Sequence, residues 1–470
     1  MAVPLDPTSS GFLFAENRNQ PMHVGGLQLF DPPGNAGPDY VRDMFTRSLG
    51  ADEVAPLFLK RPHRSLSTGG QWVWTEDDQF DIEYHVRHSA LPQPGRIREL
   101  LALCSRLHGT RLALERPLWE THVIEGLEDG RIAVYTKMHH ALVDGVSSMR
   151  LLQSVLSTDP AQRDMPPPWG RRPERTRASM RGSDDPAPAL LDLPASALGS
   201  ALGLATEAAG LPAALVRTLS RGLRNEASAL SLYAPRTILN KPITGSRRFA
   251  AQDWEIERMR AVGAATGATL NDVVLAMCSG AMRAYLVELG ALPDAPLVAM
   301  VPVGLKAREA HTASASGGNA VGAVMVNLAT DLEDPGDRLD SIHRSMRSGK
   351  EALGTMTPAQ ILAMSALGMA PAVLAPMLRL HGITRPPFNL IISNVPGPRT
   401  PHYFNGARLD GMYPLSIPIH GMALNITCTS YDGHMGFGLT GCRRTVPHLQ
   451  RLLTHLDDEL AALEKATGIA

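Results

Sequence analysis

His139-His140-Ala141-Leu142-Val143-Asp144-Gly145 is the stretch that decides how this 470-residue chain is read. It follows a β-rich run at 131–137 and precedes a run at 146–156 with helical apolar spacing, so it lies where a strand hands over to a helix. Histidine exchanges protons near neutral pH without special tuning, and a carboxylate a few residues on can orient it. Neighbours in an extended segment face opposite ways, so one imidazole can reach a cleft while the other packs inward, and the sequence leaves open which. Asp144 reads either as the partner of a catalytic histidine or as the cap of the following helix. Gly145 reads either as room for a substrate or as a tight turn with positive φ.

Working outward, 121–125, the turn 126–130 and 131–137 read as a β-hairpin whose second strand delivers the histidines. Helical spacing marks 38–49 and 95–114, and strand-like runs lie at 22–30 and 71–74. A break over 159–183 holds Pro166-Pro167-Pro168-Trp169-Gly170 and then Arg171, Arg172, Arg175, Arg177 and Arg181, the composition of an exposed linker. Residues 187–232 are Ala/Leu-rich, with Pro188, Pro194 and Pro212. They read as helices with a wide apolar face, either a crossover packed on the protein or a surface that docks on lipid. Further on, a helix is expected at 270–286, opening at Thr269 or Asn271. Buried strands are expected at 297–303 and 321–328, a strand at 389–393, a hairpin at 424–430 and 435–440 around Asp432-Gly433, and a closing helix at 446–462. The whole is a mixed α/β chain in three parts: a first lobe over 1–158, a linker and helical crossover over 159–234, and a second lobe over 235–470.

The composition narrows the function. Forty-five basic against 46 acidic residues, with 5% aromatics, argue against nucleic acid as the partner. Cys104, Cys278, Cys428 and Cys442 form no Cys-x-x-Cys pair and are expected as buried apolar residues in a reduced, cytosolic setting. The first residues lack the pattern of a signal peptide. The charge-free stretch 352–378 is interrupted by Pro358, Pro371 and Pro376 and reads as buried or interfacial helices rather than a membrane span. His108, His122, His311 and His420 show no ligand spacing, so no metal site is expected. No Gly-x-Ser-x-Gly elbow, phosphate loop or dinucleotide fingerprint occurs. What remains is a histidine base without an evident covalent nucleophile. That suits direct transfer, in which a bound hydroxyl loses its proton and attacks an activated acyl carbon, with a hydrogen-bond donor holding the oxyanion.

The His139-His140-x-x-x-Asp144-Gly145 pattern resembles the signature of the CoA-dependent acyltransferase superfamily, which includes chloramphenicol acetyltransferase and the condensation domains of peptide synthetases. Four further motifs narrow the match: Pro21-Met22-His23-Val24-Gly25, Pro117-Leu118-Trp119 with Ile124-Glu125-Gly126-Leu127, Asn271-Asp272-Val273-Val274, and Ser393-Asn394-Val395-Pro396-Gly397-Pro398. Together they are similar to those of the bacterial wax ester synthase/diacylglycerol acyltransferase family, nearly end to end and most weakly over 159–234.

The resemblance implies two chloramphenicol-acetyltransferase-like lobes with the active-site channel between them. It implies transfer of a fatty acyl group from acyl-CoA, a co-substrate with no bound cofactor, to diacylglycerol or a long-chain alcohol. Under it His140 is the general base, His139 supports the site beside Gly145, and Asp144 is an architectural partner. Asn271 would position the oxyanion or the alcohol, or else cap its helix. Ser393, Asn394, Pro396 and Gly397 would shape the channel, or else form a rigid turn. Pro117-Leu118-Trp119 would support packing. Arg247, Arg248 and the linker arginines would meet CoA phosphates or remain solvated surface. A cytoplasmic enzyme, peripheral on the inner membrane face or on lipid inclusions, is expected. A fatty chain offers about 0.8 kcal/mol per buried CH₂, so its recognition calls for an apolar tunnel rather than a charged cluster. Two rivals share the pattern: a condensation-type enzyme using carrier-bound acyl groups, and a lipid-surface protein without turnover.

Overall fold

The computed structural model describes residues 3–50, 53–171, 234–304, 321–354, 356, 361 and 385–469. The helices expected within 187–232, linker residues Arg172, Arg175, Arg177 and Arg181, His311, and most of 352–378 lie outside the described residues. The longer elements of the first part are, in chain order, α1 (Pro7–Ala15), β1 (His23–Asp31), α2 (Tyr40–Leu49), β2 (Val86–Ala90), α3 (Ile97–Gly109), β3 (Trp119–Glu125), β4 (Ile132–His139) and α4 (Gly145–Gln153). Then come β5 (Arg247–Glu255), α5 (Ile256–Thr266), α6 (Leu270–Glu288), β6 (Val298–Gly304), β7 (Val321–Asn327), α7 (Pro335–Gly354), β8 (Leu390–Val395), β9 (Ala407–Leu415), β10 (Leu424–Tyr431), β11 (His434–Cys442) and α8 (Arg451–Ala466).

The chain forms two compact units that interleave along the sequence. One holds Met1–Arg172, Pro242–Arg260 and Ser393–Thr454; the other holds Pro173–Lys241, Ala261–Ile392 and His455–Ala470. This differs from the consecutive division at 158 and 235. The physical reason is β9, which pairs antiparallel with β1 (Arg408 opposite Asp31, Leu415 opposite Gly25) and so returns a late segment to the first unit's sheet.

That sheet runs in the order β9-β1-β4-β3-β2, with β2 parallel to β3 and the other pairs antiparallel. The expected β3–β4 hairpin is present, and Gly126 and Gly130 at its turn take φ of 89° and 78°. Alternation divides β4 between two cores. Ala133 and Tyr135 pack with Leu100 and Cys104 of α3, while Ile132 packs with Met44 of α2 and Met149 of α4. The first unit also holds β10, β11 and β5, which pair antiparallel in that order. Asp432 (φ 42°) and Gly433 (φ 83°) make the two-residue turn that the Asp-Gly pair called for.

In the second unit β7 pairs antiparallel with β6, and Leu390–Ile391 pair parallel with it. Among the described residues α6 is the one helix long and apolar enough to cross a membrane, but 72% of that window is buried inside the protein. The closing helix begins at Arg451 rather than at 446, because Pro447 precedes His448 in the left-handed region (φ 53°), which a helix cannot accommodate.

Candidate active site

The motif sits at the end of β4. His23 of β1 lies opposite His139, and Leu118 accepts the His139 N–H (2.9 Å). His139 is fully buried. Ala141 N–H donates to its Nδ1 (3.0 Å), so the ring proton lies on Nε2, 3.8 Å from Glu16 Oε1. Burial, then His140 and Arg111, push its pKa down to about 3, so the ring is neutral.

His140 is the ring with an open edge. It is half-buried and stacks on Phe12 of α1 (centroids 4.1 Å, 25° between planes). Its Nδ1 is sealed and unbonded, so Nε2 is the nitrogen a reactant can reach. Burial lowers its pKa, while the Asp144 carboxylate and the residue's own main chain oppose that. An imidazole of this kind is neutral at pH 7, the form a general base needs.

Glu16 carries no mark in the sequence, yet it meets both residues that bond the main chain on either side of His140. Its side chain is 1% exposed, and Arg111 donates to Oε2 (3.2 Å). Met22 N–H donates to Oε1 (3.3 Å), and Met22 C=O in turn accepts His140 N–H (2.8 Å). The same carboxylate faces His139, which fixes Ala141. The only sequence trace of this clamp is Met22-His23 within the Pro21–Gly25 motif. Phe12 left no trace, because α1 (PTSSGFLFA) lacks an amphipathic pattern.

Asp144 is the cap of α4. Ser147 donates to it twice, from N–H to Oδ1 (2.7 Å) and from Oγ to Oδ2 (2.9 Å). Its charge also reaches His140, so the two readings of Asp144 are compatible. Gly145 has no positive φ, and a Cβ there would meet nothing within 4 Å. The tight-turn reading falls, and open space lies beside the first residue of α4.

Behind β4 lies a buried polar layer. His108 Nε2–H donates to the Ser416 carbonyl (2.9 Å) and its Nδ1 accepts from Tyr135 (2.9 Å), while burial pushes its pKa down to about 3. His23 Nε2–H donates to the His108 carbonyl (2.8 Å). Lys137, fully buried, donates to Leu107 and Thr110 carbonyls (3.0 and 2.8 Å) and lies 3.3 Å from Glu120. These groups are bonded into the floor of the strand.

The other expected residues sit elsewhere. Asn271 is in the second unit at the start of α6, half-buried, with no side-chain hydrogen bond among the described residues. Thr269 is the cap, in a reciprocal box with Asp272, whose Oδ2 also meets His343 Nδ1 (2.9 Å). Ser393 and Asn394 lie in β8, Pro396 and Gly397 just beyond it. Gly397 N–H donates to Ser430 Oγ (3.0 Å), and a Cβ on Gly397 would lie 2.1 Å from the Ser430 carbonyl, so this turn is pinned to β10. Arg247 is not placed to meet CoA: it is 4% exposed and donates to the Thr244 and Asn19 carbonyls. Trp119 supports packing, stacked on His85 (4.6 Å) and Trp169 (5.2 Å). All four cysteines are buried as expected, and Cys442 also accepts from Thr244 N–H (3.4 Å). Burial raises the Cys442 thiol, yet the Thr244 and Thr445 bonds outweigh it and bring the pKa to about 7. Among the described residues no three His, Cys, Asp or Glu side chains gather as metal ligands.

Comparison with known proteins places the chain in a family. Residues 5–274 match the wax ester synthase/diacylglycerol acyltransferase catalytic domain, and residues 317–464 match the C-terminal domain of the same family. A Mycobacterium tuberculosis protein named as a diacylglycerol O-acyltransferase is 50% identical over 464 residues, 98% of this chain and 99% of its own. The solved wax ester synthase/diacylglycerol acyltransferase of Marinobacter aquaeolei VT8 is 42% identical, with a TM-score of 0.77 over 99% of this chain and 100% of its own. The first condensation domain of the calcium-dependent antibiotic synthetase shares the fold at 18% identity (TM-score 0.56, 99% and 96% covered). The chain therefore belongs to the wax ester synthase/diacylglycerol acyltransferase family.

Proposed function

We propose that this protein transfers a fatty acyl group from acyl-CoA to the hydroxyl of diacylglycerol or a long-chain alcohol, with His140 as general base. The observation that carries this is one neutral imidazole at a strand end, sealed at Nδ1 and open at Nε2, on a main chain clamped from both sides. Nε2 takes the hydroxyl proton as the oxygen attacks the thioester carbon. The tetrahedral intermediate expels the CoA thiolate, and the imidazolium returns the proton to that sulfur. No acyl-enzyme forms. Asn271 is kept as donor to the oxyanion or the alcohol, since it is not the helix cap and its amide has no hydrogen bond among the described residues. Attachment at the inner membrane face or on lipid inclusions belongs to the same proposal, because both acceptors are lipids.

The test is CoA release and product lipid from palmitoyl-CoA with diacylglycerol or hexadecanol. His140→Ala is expected to lower turnover by about 10²–10⁴ while the fold melts as before. Near-normal turnover in that variant, or a trapped acyl-enzyme on the pathway, overturns the mechanism.

A further inference from the structure

The first unit holds an apolar cavity of about 40 Å³ on the other side of β4 from the buried polar layer, lined among others by Phe30, Met44, Val134, Leu152 and Trp169. Its origin is legible in the register. Gly26 of β1, Thr136 of β4 and Thr121 of β3 stand side by side, three small residues on adjacent strands. The Thr121 and Thr136 hydroxyls satisfy each other (3.0 Å) and need no other partner. Gly26 itself is covered: Leu152 Cδ1 stands 2.8 Å from where a Cβ would be, so α4 packs directly on that glycine. The hollow lies over the two threonines, beside Leu152. Gln28, also lining it, keeps a buried Nε2 without a hydrogen bond, which closed core packing seldom leaves.

The hollow is aligned with the motif. Val134, Thr136 and Met138 share one face of β4, which ends at His139, the residue before His140. From Val134 to the strand end at His139 is about 17 Å at a rise of ~3.4 Å per residue. That span suits a long fatty chain whose reacting end is at His140. The side chain between is Met138, unbranched and adaptable. The roof is α4, which starts five residues after His140 and supplies Leu152.

We propose that this cavity receives the far end of a fatty chain and sets the preferred chain length. The proposal rests on the acyltransferase reading. The chain can belong to the acyl donor or to the acceptor, and two substrate series separate these sources. One runs from octanoyl- to stearoyl-CoA with decanol fixed; the other runs from octanol to octadecanol with one donor fixed. Each excluded CH₂ removes roughly fourfold in binding, from about 0.8 kcal/mol apiece. Val134→Phe, which fills the cavity, is expected to lower the long-to-short ratio of kcat/KM by about tenfold or more in one series and leave it unchanged in the other. Leu152→Ala, which enlarges it, is expected to raise the ratio in that same series. Equal losses at every length, or an unmoved ratio in both variants, overturn the proposal. If the wild-type protein releases no CoA, the acyltransferase reading is at fault. The pocket is then decided by displacement of a fluorescent sixteen-carbon fatty acid: weaker binding in Val134→Phe supports it, and equal binding overturns it.

Discussion

Replacing Asp144 by Asn or Ala separates two jobs that one carboxylate does. As cap of α4 it accepts from Ser147 N–H and Oγ, and as a charge it raises the pKa of His140 against the lowering effect of burial. Alanine removes both. Loss of an N-cap acceptor costs about 1 kcal/mol (0.5–2), and loss of a negative charge at a helix start removes about 0.3–1 kcal/mol more. In a cooperative unit of roughly 150–250 residues each kcal/mol lowers the melting temperature by about 2–4 °C. Asparagine keeps an acceptor for Ser147 N–H and loses the charge and the second acceptor, so it is expected to melt closer to the wild type than to Asp144→Ala. The charge acts on catalysis with a definite sign. On the proposed mechanism His140 works as the neutral base, so kcat/KM is expected to fall as pH drops through its pKa, which already lies below the ordinary imidazole value. Removing the carboxylate lowers that pKa further, so both variants move the acid limb to lower pH by the same amount. Their plateau rates fall because the base is weaker. Melting curves and kcat/KM profiles between pH 4.5 and 8 make the comparison. An Asn variant as unstable as the Ala variant refutes the cap. An acid limb that stays in place in the Asn variant refutes the coupling to His140.

Glu16→Ala removes the acceptor of Met22 N–H and leaves His139 and Arg111 facing an empty place. It is expected to reduce kcat more than it raises KM, by a factor that a lost charged hydrogen bond (about 1.5–3 kcal/mol) allows, with partial rescue by Glu16→Gln; equal kcat in wild type and Ala variant contradicts the clamp. His139 and His108, each held neutral with a pKa of about 3, are expected to make the fold acid-sensitive. Below their ordinary value of about 6.5 the unfolded chain takes up two protons that the folded protein refuses until about pH 3. Stability is therefore expected to drop by roughly 3 kcal/mol between pH 6.5 and 5, and a melting temperature that holds steady over that interval contradicts their neutral burial.

The sequence reveals most where the pattern is local. The β3–β4 hairpin follows from alternation and from turn glycines with positive φ, and the Asp432-Gly433 turn from the same rule. The handover from strand to helix at the motif follows from a change of period and a cap residue. Legibility ends where distant segments meet. β9 (ARLDGMYPL) contains Asp, Gly and Pro, and its strand character comes from pairing with β1, whose Asp31 lies opposite Arg408. β5 (RRFAAQDWE) is polar and Ala-rich, and it is held by β11 along its whole length. The interleaved units follow from these pairings. Arg247 shows the same limit for charge: its composition suggests phosphate, while its neighbours are main-chain carbonyls in a closed pocket.

The two faces of β4 explain why the motif stands at the end of this strand. Tyr135, Lys137 and His139 alternate toward a layer whose polar groups are mostly bonded to main chain and to one another, which leaves little freedom to move. Val134 and Thr136 alternate toward apolar space under α4. On the proposed mechanism, rigidity on one face and room on the other suit a base whose partner is greasy: the imidazole must not yield, and the chain must have somewhere to go. Glu16 ties the two requirements together. It sits just beyond α1, whose Phe12 is stacked on the His140 ring, and its carboxylate meets Met22 and His139, the two residues that accept the N–H groups of His140 and Ala141. A segment with few marks in the sequence thus packs against the residue with the most, and on the proposed mechanism the reach of His140 toward its substrate depends on an acid more than a hundred residues upstream.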